Sequence, residues 1–360
     1  MTILPSMFPT FVVGSLPRPQ WVQELIEDRK SRRIDECASS QILDDTIPSI
    51  IRMQERAGLD FISDGEWRRE SYVKVFSDAV NGFENDLIYD GTAISKIGYP
   101  AVVSELNLQR GIATNEAEFL VNNTSFNTLV ALPSPYTIAR RMWSPDHSGK
   151  IYPTREDFMD ACIPIIRDEI QQLINIGVTA IQLDDPWLAL LVDPAYRDRE
   201  NITNLDHEIR QSIKGINESV IDSPKDIISV HMCHAHFNRK HGTTGSYELI
   251  FEALHQMNVN RFAIEFATPD AGGIGVLRKF PKDKVLGLGV IDHTDPIVET
   301  SSVVIERTMA AMEFIQPNQI TLNPDCGFAP SSANPMDLDE AYLKLAVMCE
   351  AANKLREDYA

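Results

Sequence analysis

Residues 154–186 read TREDFMDACIPIIRDEIQQLINIGVTAIQLDDP, and the way they divide decides the fold. Thr154 suits an N-cap, Glu156 and Asp157 favour the positive end of a helix dipole, and Gly177 suits the close. Apolar residues between them recur at helical spacing, with Pro164 expected to kink the helix. Beyond Gly177, VTAIQLD (178–184) is short, apolar and non-alternating, as a strand covered on both faces should be. The stretch is a helix feeding a buried strand, the repeating unit of a parallel α/β fold.

The same pattern recurs in both directions. Strand-like runs fall at 11–15 (FVVGS), 59–64 (LDFISD), 127–133 (NTLVALP), 226–232 (DIISVHM), 261–266 (RFAIEF), 285–291 (VLGLGVI) and 319–324 (QITLNP), which with 178–184 makes eight. Helical patterns fit 41–57, 203–219, 245–257, 296–315 and 337–357. Eight β-then-α units most simply close into a TIM (β/α)8 barrel, an open doubly wound sheet being the alternative. Residues 67–126 are too long for one connection and include the strand-like AVVSEL (101–106). They read as an insertion after the second strand of a single domain spanning 1–360. Gly272-Gly273-Ile274-Gly275 lacks the spacing of a dinucleotide-binding turn and reads as an ordinary loop.

Composition narrows the function classes. With 33 Lys+Arg against 52 Asp+Glu, the 360-residue chain carries a net charge of −19, which argues against a general binder of nucleic acid. No apolar run approaches the roughly 18 residues of a membrane span, and the first residues lack the basic start of a signal peptide. Five cysteines, at 37, 162, 233, 326 and 349, are too few and too odd for a disulfide scaffold. They point to a reducing, cytoplasmic setting. Cys37, Cys162 and Cys349 lie in or near helical patterns and read as buried core.

In a barrel, chemistry collects where strands end. Those ends carry Gly14-Ser15, Asp64-Gly65-Glu66, Asp184-Asp185, His231-Met232-Cys233, Glu265, Asp292-His293 and Asp325-Cys326. His231 and Cys233, two apart, can reach one ion, and Cys326 and Glu265 complete an N, S, O, S set that suits zinc. His234, His236 and His241 follow in a polar loop and read as solvated, with His236 a rival to His231 as ligand.

At these residues the sequence resembles the cobalamin-independent methionine synthase family, specifically its C-terminal catalytic barrel. VGSLPRP (13–19) is similar to the family's I-G-S opening, and SDGEWRRE (63–70) to its H-G-E-x-x-R-x-[DE] segment. PYTIARRMW (135–143) resembles the P-V-T-I loop and IQLDDP (181–186) the I-Q-[IL]-D-E-P strand end. HMC (231–233), IE (264–265), VIDH (290–293) and NPDCG (323–327) follow in the family's order. The resemblance implies that His231, Cys233, Glu265 and Cys326 hold zinc. It implies that Ser15, Glu66 and Asp184 hold the amino-acid part of homocysteine, and that His293 donates a proton to the leaving group.

Two departures bear on the methyl donor. The long members' N-terminal barrel is missing, and Ala139-Arg140-Arg141-Met142-Trp143 replaces the family's C-W-S-F. Short relatives include methyltransferases thought to use a corrinoid and epoxyalkane:coenzyme M transferases, so the implied donor is methyltetrahydrofolate or a methyl-corrinoid, free or carried on a protein. A ligand set with two thiolates and a carboxylate favours alkyl transfer to a thiol over hydrolysis. A zinc hydrolase and a non-catalytic metal-binding protein are the readings from other classes.

Overall fold

The computed structural model describes residues 7–89, 98–329 and 336–359. In chain order its strands are β1 (Phe61–Ile62), β2 (Val80–Tyr89), β3 (Gly98–Leu108), β4 (Asn127–Pro133), β5 (Ala180–Asp184), β6 (Ile228–Met232), β7 (His236–Phe237), β8 (Lys240–His241), β9 (Arg261–Ile264), β10 (Val285–Ile291) and β11 (Ile320–Pro324). Seven form one sheet in the order β1-β4-β5-β6-β9-β10-β11, and every pairing is parallel.

The two edges of that sheet meet across the first stave. Leu322 N donates to Pro9 O and Phe11 N to Leu322 O, while Asp60 N and Phe61 N both donate to Thr10 O. Residues 9–11 therefore bridge β11 and β1 and close a TIM (β/α)8 barrel. This corrects the expected strand at 11–15: only Thr10 makes a ladder bridge, to Leu322. Gly14, at φ +105°, bends the chain away before a longer ladder can form. A separate apolar cluster of Phe11, Val13, Phe61, Leu129, Ala180 and Ala263 draws on five staves, as a filled barrel interior requires.

The helix Arg155–Ile176 runs as read, with a reciprocal Thr154–Asp157 capping box and Gly177 in the left-handed region at its close. Other helices include Glu36–Ala57, Leu205–Ser219, Ser301–Met312 and Leu338–Tyr359. Helices at Gln20–Lys30, Pro135–Met142, Pro186–Leu190 and Pro194–Arg199 were not foreseen; three open on a proline at their first position, and all are too short for a strong periodic signal. The expected helix 245–257 is split into a 3-10 turn at Tyr247–Leu249 and a helix at Phe251–Gln256.

Within 67–126, the helix Lys74–Ala79 leads into the antiparallel pair β2–β3, and the helix Thr114–Asn123 packs against β4 and Arg155–Ile176. Residues 90–97 of this stretch lie outside the described residues. Cys162 and Cys349 are buried as expected, but Cys37 is exposed on the first turn of Glu36–Ala57. Among the described residues, no helix is long and apolar enough to cross a membrane.

Candidate active site

Three strand ends build the centre of the site. Parallel register places Asp184, the last residue of β5, opposite His231 on β6. Asp184 Oδ1 lies 3.0 Å from His231 Nδ1 and accepts Gln182 Nε2 at 2.8 Å. The imidazole is thus fixed with Nε2 turned away from the carboxylate, and Nε2 is buried without a hydrogen-bond partner. The ligand atoms of His231, Cys233 and Cys326 all lie within 4.8 Å of one another.

Burial alone would lower His231, but Cys233 and Asp184 override it and raise the ring to about 10. The hydrogen bond from Cys326, then His231, hold Cys233 low against its burial, whereas burial and Cys233 push Cys326 up. One imidazole nitrogen oriented by a carboxylate, beside two sulfurs, is a donor set that fits zinc. Binding would displace the protons these groups share.

Glu265 stands outside this group of three. Its Oε2 accepts His234 Nδ1 at 2.5 Å, His234 N at 2.9 Å and the Tyr247 hydroxyl at 3.1 Å. Its Oε1 is buried, accepts no hydrogen bond and lies 3.9 Å from His241 Nδ1. Burial opposes charge here, but the His234 contacts outweigh it and hold the carboxyl low. Gly289 makes room for this corner, since a Cβ there would lie 2.2 Å from Asp325 Oδ1 and 3.0 Å from Glu265 Cα.

The three loop histidines are not solvated, which corrects that expectation. His234 is wholly buried and also reaches Gly245 O at 3.0 Å, and His236 and the His241 side chain are buried too. His236 packs against His293 with ring centroids 3.7 Å apart and the planes tilted by 42°, and His241 lies edge-on to His293 at 5.3 Å. Both nitrogens of His236 and of His293 lack partners. Burial, then the neighbouring His236 and His241, hold His293 well below the ordinary imidazole range, so it is neutral as it stands. Its segment is clamped by Lys344 Nζ, which donates to Asp292 O at 2.8 Å and Ile297 O at 2.9 Å.

Ser15 and Glu66 meet on the other side, with Ser15 Oγ donating to Glu66 Oε2 at 2.5 Å. Gly65 and Glu66 both have positive φ, +71° and +57°, and Glu66 N donates to Asp64 Oδ1 at 2.9 Å. Holding a glutamate in the left-handed region is costly, and such strain collects where a side chain must be aimed. Burial and Asp184 raise Glu66, while Arg69, the Ser15 hydroxyl and Arg18 oppose.

A cavity joins these parts, and Ser15, Glu66, Asp184, His231, Cys233 and Cys326 all line it. His236 lines it as well, whereas Glu265 and His293 sit behind the wall. Sequence reasoning missed the remainder of the lining, notably Tyr99 on β3, Trp187 and Tyr196. The Arg141 guanidinium lies 4.5 Å over the Tyr99 ring and 4.1 Å over Trp187, and Trp187 stacks on Tyr196 at 6.0 Å. Arg141 belongs to the segment that departs from C-W-S-F, which was the one available hint.

The chain is similar to known proteins over nearly its whole length. The chain is 27% identical over 363 residues to a methionine synthase of Saccharolobus islandicus, covering 99% of this chain and 97% of that one. A methionine synthase of Pyrococcus horikoshii is 28% identical over 356 residues, covering 98% and 94%. In fold, the chain is similar to a B12-independent methionine synthase from Shewanella sp. W3-18-1, solved in complex with selenomethionine, with TM-score 0.80, 22% identity and 98% coverage of both chains. None of these supports the corrinoid partner that the sequence left open. The family described as "Cobalamin-independent synthase, Catalytic domain" matches residues 8–354, and the chain belongs to that family.

Proposed function

We propose that the chain methylates the sulfur of homocysteine to give methionine, with zinc at His231, Cys233 and Cys326 and methyltetrahydrofolate as donor. It is an S-methyltransferase, as its family and the methionine synthases it resembles are. One observation carries the finer reading: the N, S, S group and the acidic pair Glu66 and Asp184 line the same cavity. A zinc ion held there supplies the Lewis acidity that keeps a substrate thiol ionised at neutral pH. Glu265, whose Oε1 accepts no hydrogen bond, is the proposed fourth ligand. The selenomethionine in the Shewanella relative, an analogue of the proposed product, supports the reading. Thiols that must stay reduced suit a cytoplasmic setting.

The chain's own residues then have separable tasks. Glu66 and Asp184 grip the substrate ammonium, and Ser15 with nearby backbone N–H groups takes its carboxylate. The Tyr99–Arg141–Trp187 wall offers flat surfaces and a cation to an anionic heterocyclic donor. As the S–C bond forms, the C–N bond to folate breaks; His293, neutral as it stands, would take up a proton from solvent when the anionic donor binds beside it and pass that proton through His236 to the leaving nitrogen.

Glu66→Gln and Asp184→Asn should each weaken homocysteine binding by roughly 1.5–3 kcal/mol, the range for hydrogen bonds to charged groups. Asp184→Asn should also lower zinc affinity about 10–100-fold, because it frees the His231 ring. Titration calorimetry with homocysteine and 4-mercaptobutyrate, which lacks the amino group, checks the assignment. If wild type binds both equally well, homocysteine is not the substrate, and a sulfonate thiol such as coenzyme M moves up.

The pH dependence of that preference has a defined sign. Glu66 must be charged to hold an ammonium, and burial raises it above its ordinary 4.5. While the substrate amine stays protonated, the preference for homocysteine should therefore fade as pH falls, beginning above 4.5, and it should be lost separately at alkaline pH, where that amine gives up its proton. Comparing the two thiols cancels the ionisation of the sulfur itself. A preference unchanged down to pH 4.5 would remove Glu66 from ammonium recognition.

A further inference from the structure

Arg69 and Glu116 form a buried ion pair directly behind Glu66. Arg69 Nε donates to Glu116 Oε2 at 2.8 Å, and its second terminal nitrogen lies 2.7 Å from the same oxygen. The remaining nitrogen donates to Ala131 O on β4 at 2.9 Å and reaches Glu66 Oε1 only at 3.4 Å. Glu116 comes from the helix Thr114–Asn123, fifty positions beyond Glu66 in the chain, so no local motif links the two. A small cavity behind the main one is lined by Glu66, Arg69 and Glu116 together.

The geometry divides one guanidinium unequally between two carboxylates. Three buried acids, Asp64, Glu66 and Glu116, surround two buried guanidiniums, Arg18 and Arg69, while Asp184 is paired with His231. The surplus of negative charge suits an arriving ammonium, provided Arg69 does not neutralise Glu66 first. In a site that excludes water, a lone arginine beside Glu66 would close on it as a full ion pair.

We propose that Glu116 is a positioning and specificity-determining residue, which holds Arg69 back so that Glu66 stays available to the amino group of the thiol substrate. This rests on the reading of Glu66 as an ammonium partner. Glu116 touches neither the substrate nor the metal ligands. It acts on selectivity for an α-amino thiol and leaves the chemical step alone.

The experiment measures binding and kinetics of zinc-loaded wild type, Glu116→Gln and the double variant Arg69→Gln/Glu116→Gln, with homocysteine and 4-mercaptobutyrate. Glu116→Gln should weaken homocysteine roughly tenfold or more, with 4-mercaptobutyrate unchanged. KM should rise while kcat at saturation stays within about threefold. The double variant lacks the guanidinium that would close on Glu66, and Arg18 stays held on the Glu66 and Ala329 carbonyls, so it should regain the preference for homocysteine. It also avoids a buried unpaired charge, so it decides the matter if Glu116→Gln does not fold. Equal weakening of both thiols, an unchanged homocysteine affinity in Glu116→Gln, or a double variant without the preference would overturn the proposal. If wild type itself shows no preference, the ammonium reading fails and takes this inference with it; a wild-type preference that Glu116→Gln keeps defeats the inference alone.

Discussion

Cys233→Ser and Cys326→Ser should each give a folded barrel that holds no stoichiometric zinc and transfers no methyl group. Each sulfur is one of three donors brought within 4.8 Å, and a serine hydroxyl replaces it with a hard donor that stays protonated at neutral pH. The fold should survive because both residues end strands at the rim, away from the interior cluster built on Phe11, Phe61 and Leu129. Metal analysis of the purified variants, beside a circular-dichroism melt, checks both halves. Full zinc content in either variant would remove that cysteine from the site.

His293→Asn is expected to slow methyl transfer from methyltetrahydrofolate by about 10²–10⁴-fold while leaving zinc content intact. A tetrahydrofolate nitrogen leaves as an amine only if it is protonated, so some group must supply a proton. His293 is clamped in place by Lys344 and has both ring nitrogens unpartnered. It is held neutral by its surroundings, so it acts first as an N–H donor, and an anionic donor molecule beside it would raise its basicity. His236, packed against it, lies between His293 and the cavity. His236→Asn should then show a similar loss. A loss in His236→Asn with none in His293→Asn would make His236 the donor.

The barrel was legible in the sequence wherever a strand was buried on both faces and a helix carried its own caps. VTAIQLD and the Thr154-to-Gly177 helix are such cases, because burial and capping both act on consecutive residues. The first stave was misjudged because its pairing depends on Thr10 meeting Leu322, more than three hundred residues away. The site divides in the same manner. His231, Cys233, Cys326, Glu66, Asp184 and Ser15 announced themselves as polar groups at strand ends, and they meet in one cavity.

The loop histidines were misread because a polar stretch says nothing of what folds over it. His234 is buried by its pairing with Glu265, which lies thirty-one residues on. Tyr99 and Glu116 left no local trace either. They reach the site only through the geometry of the stretch after the second stave, which periodicity could mark as present but could not place.

The central claim is that this site holds its substrate by sulfur on zinc. X-ray absorption at the zinc edge, recorded on the loaded protein before and after adding homocysteine, tests it most directly. The account predicts one additional sulfur neighbour on adding the thiol, with one nitrogen or oxygen neighbour lost. A spectrum that homocysteine leaves unchanged, in protein shown to have bound it, would contradict the account.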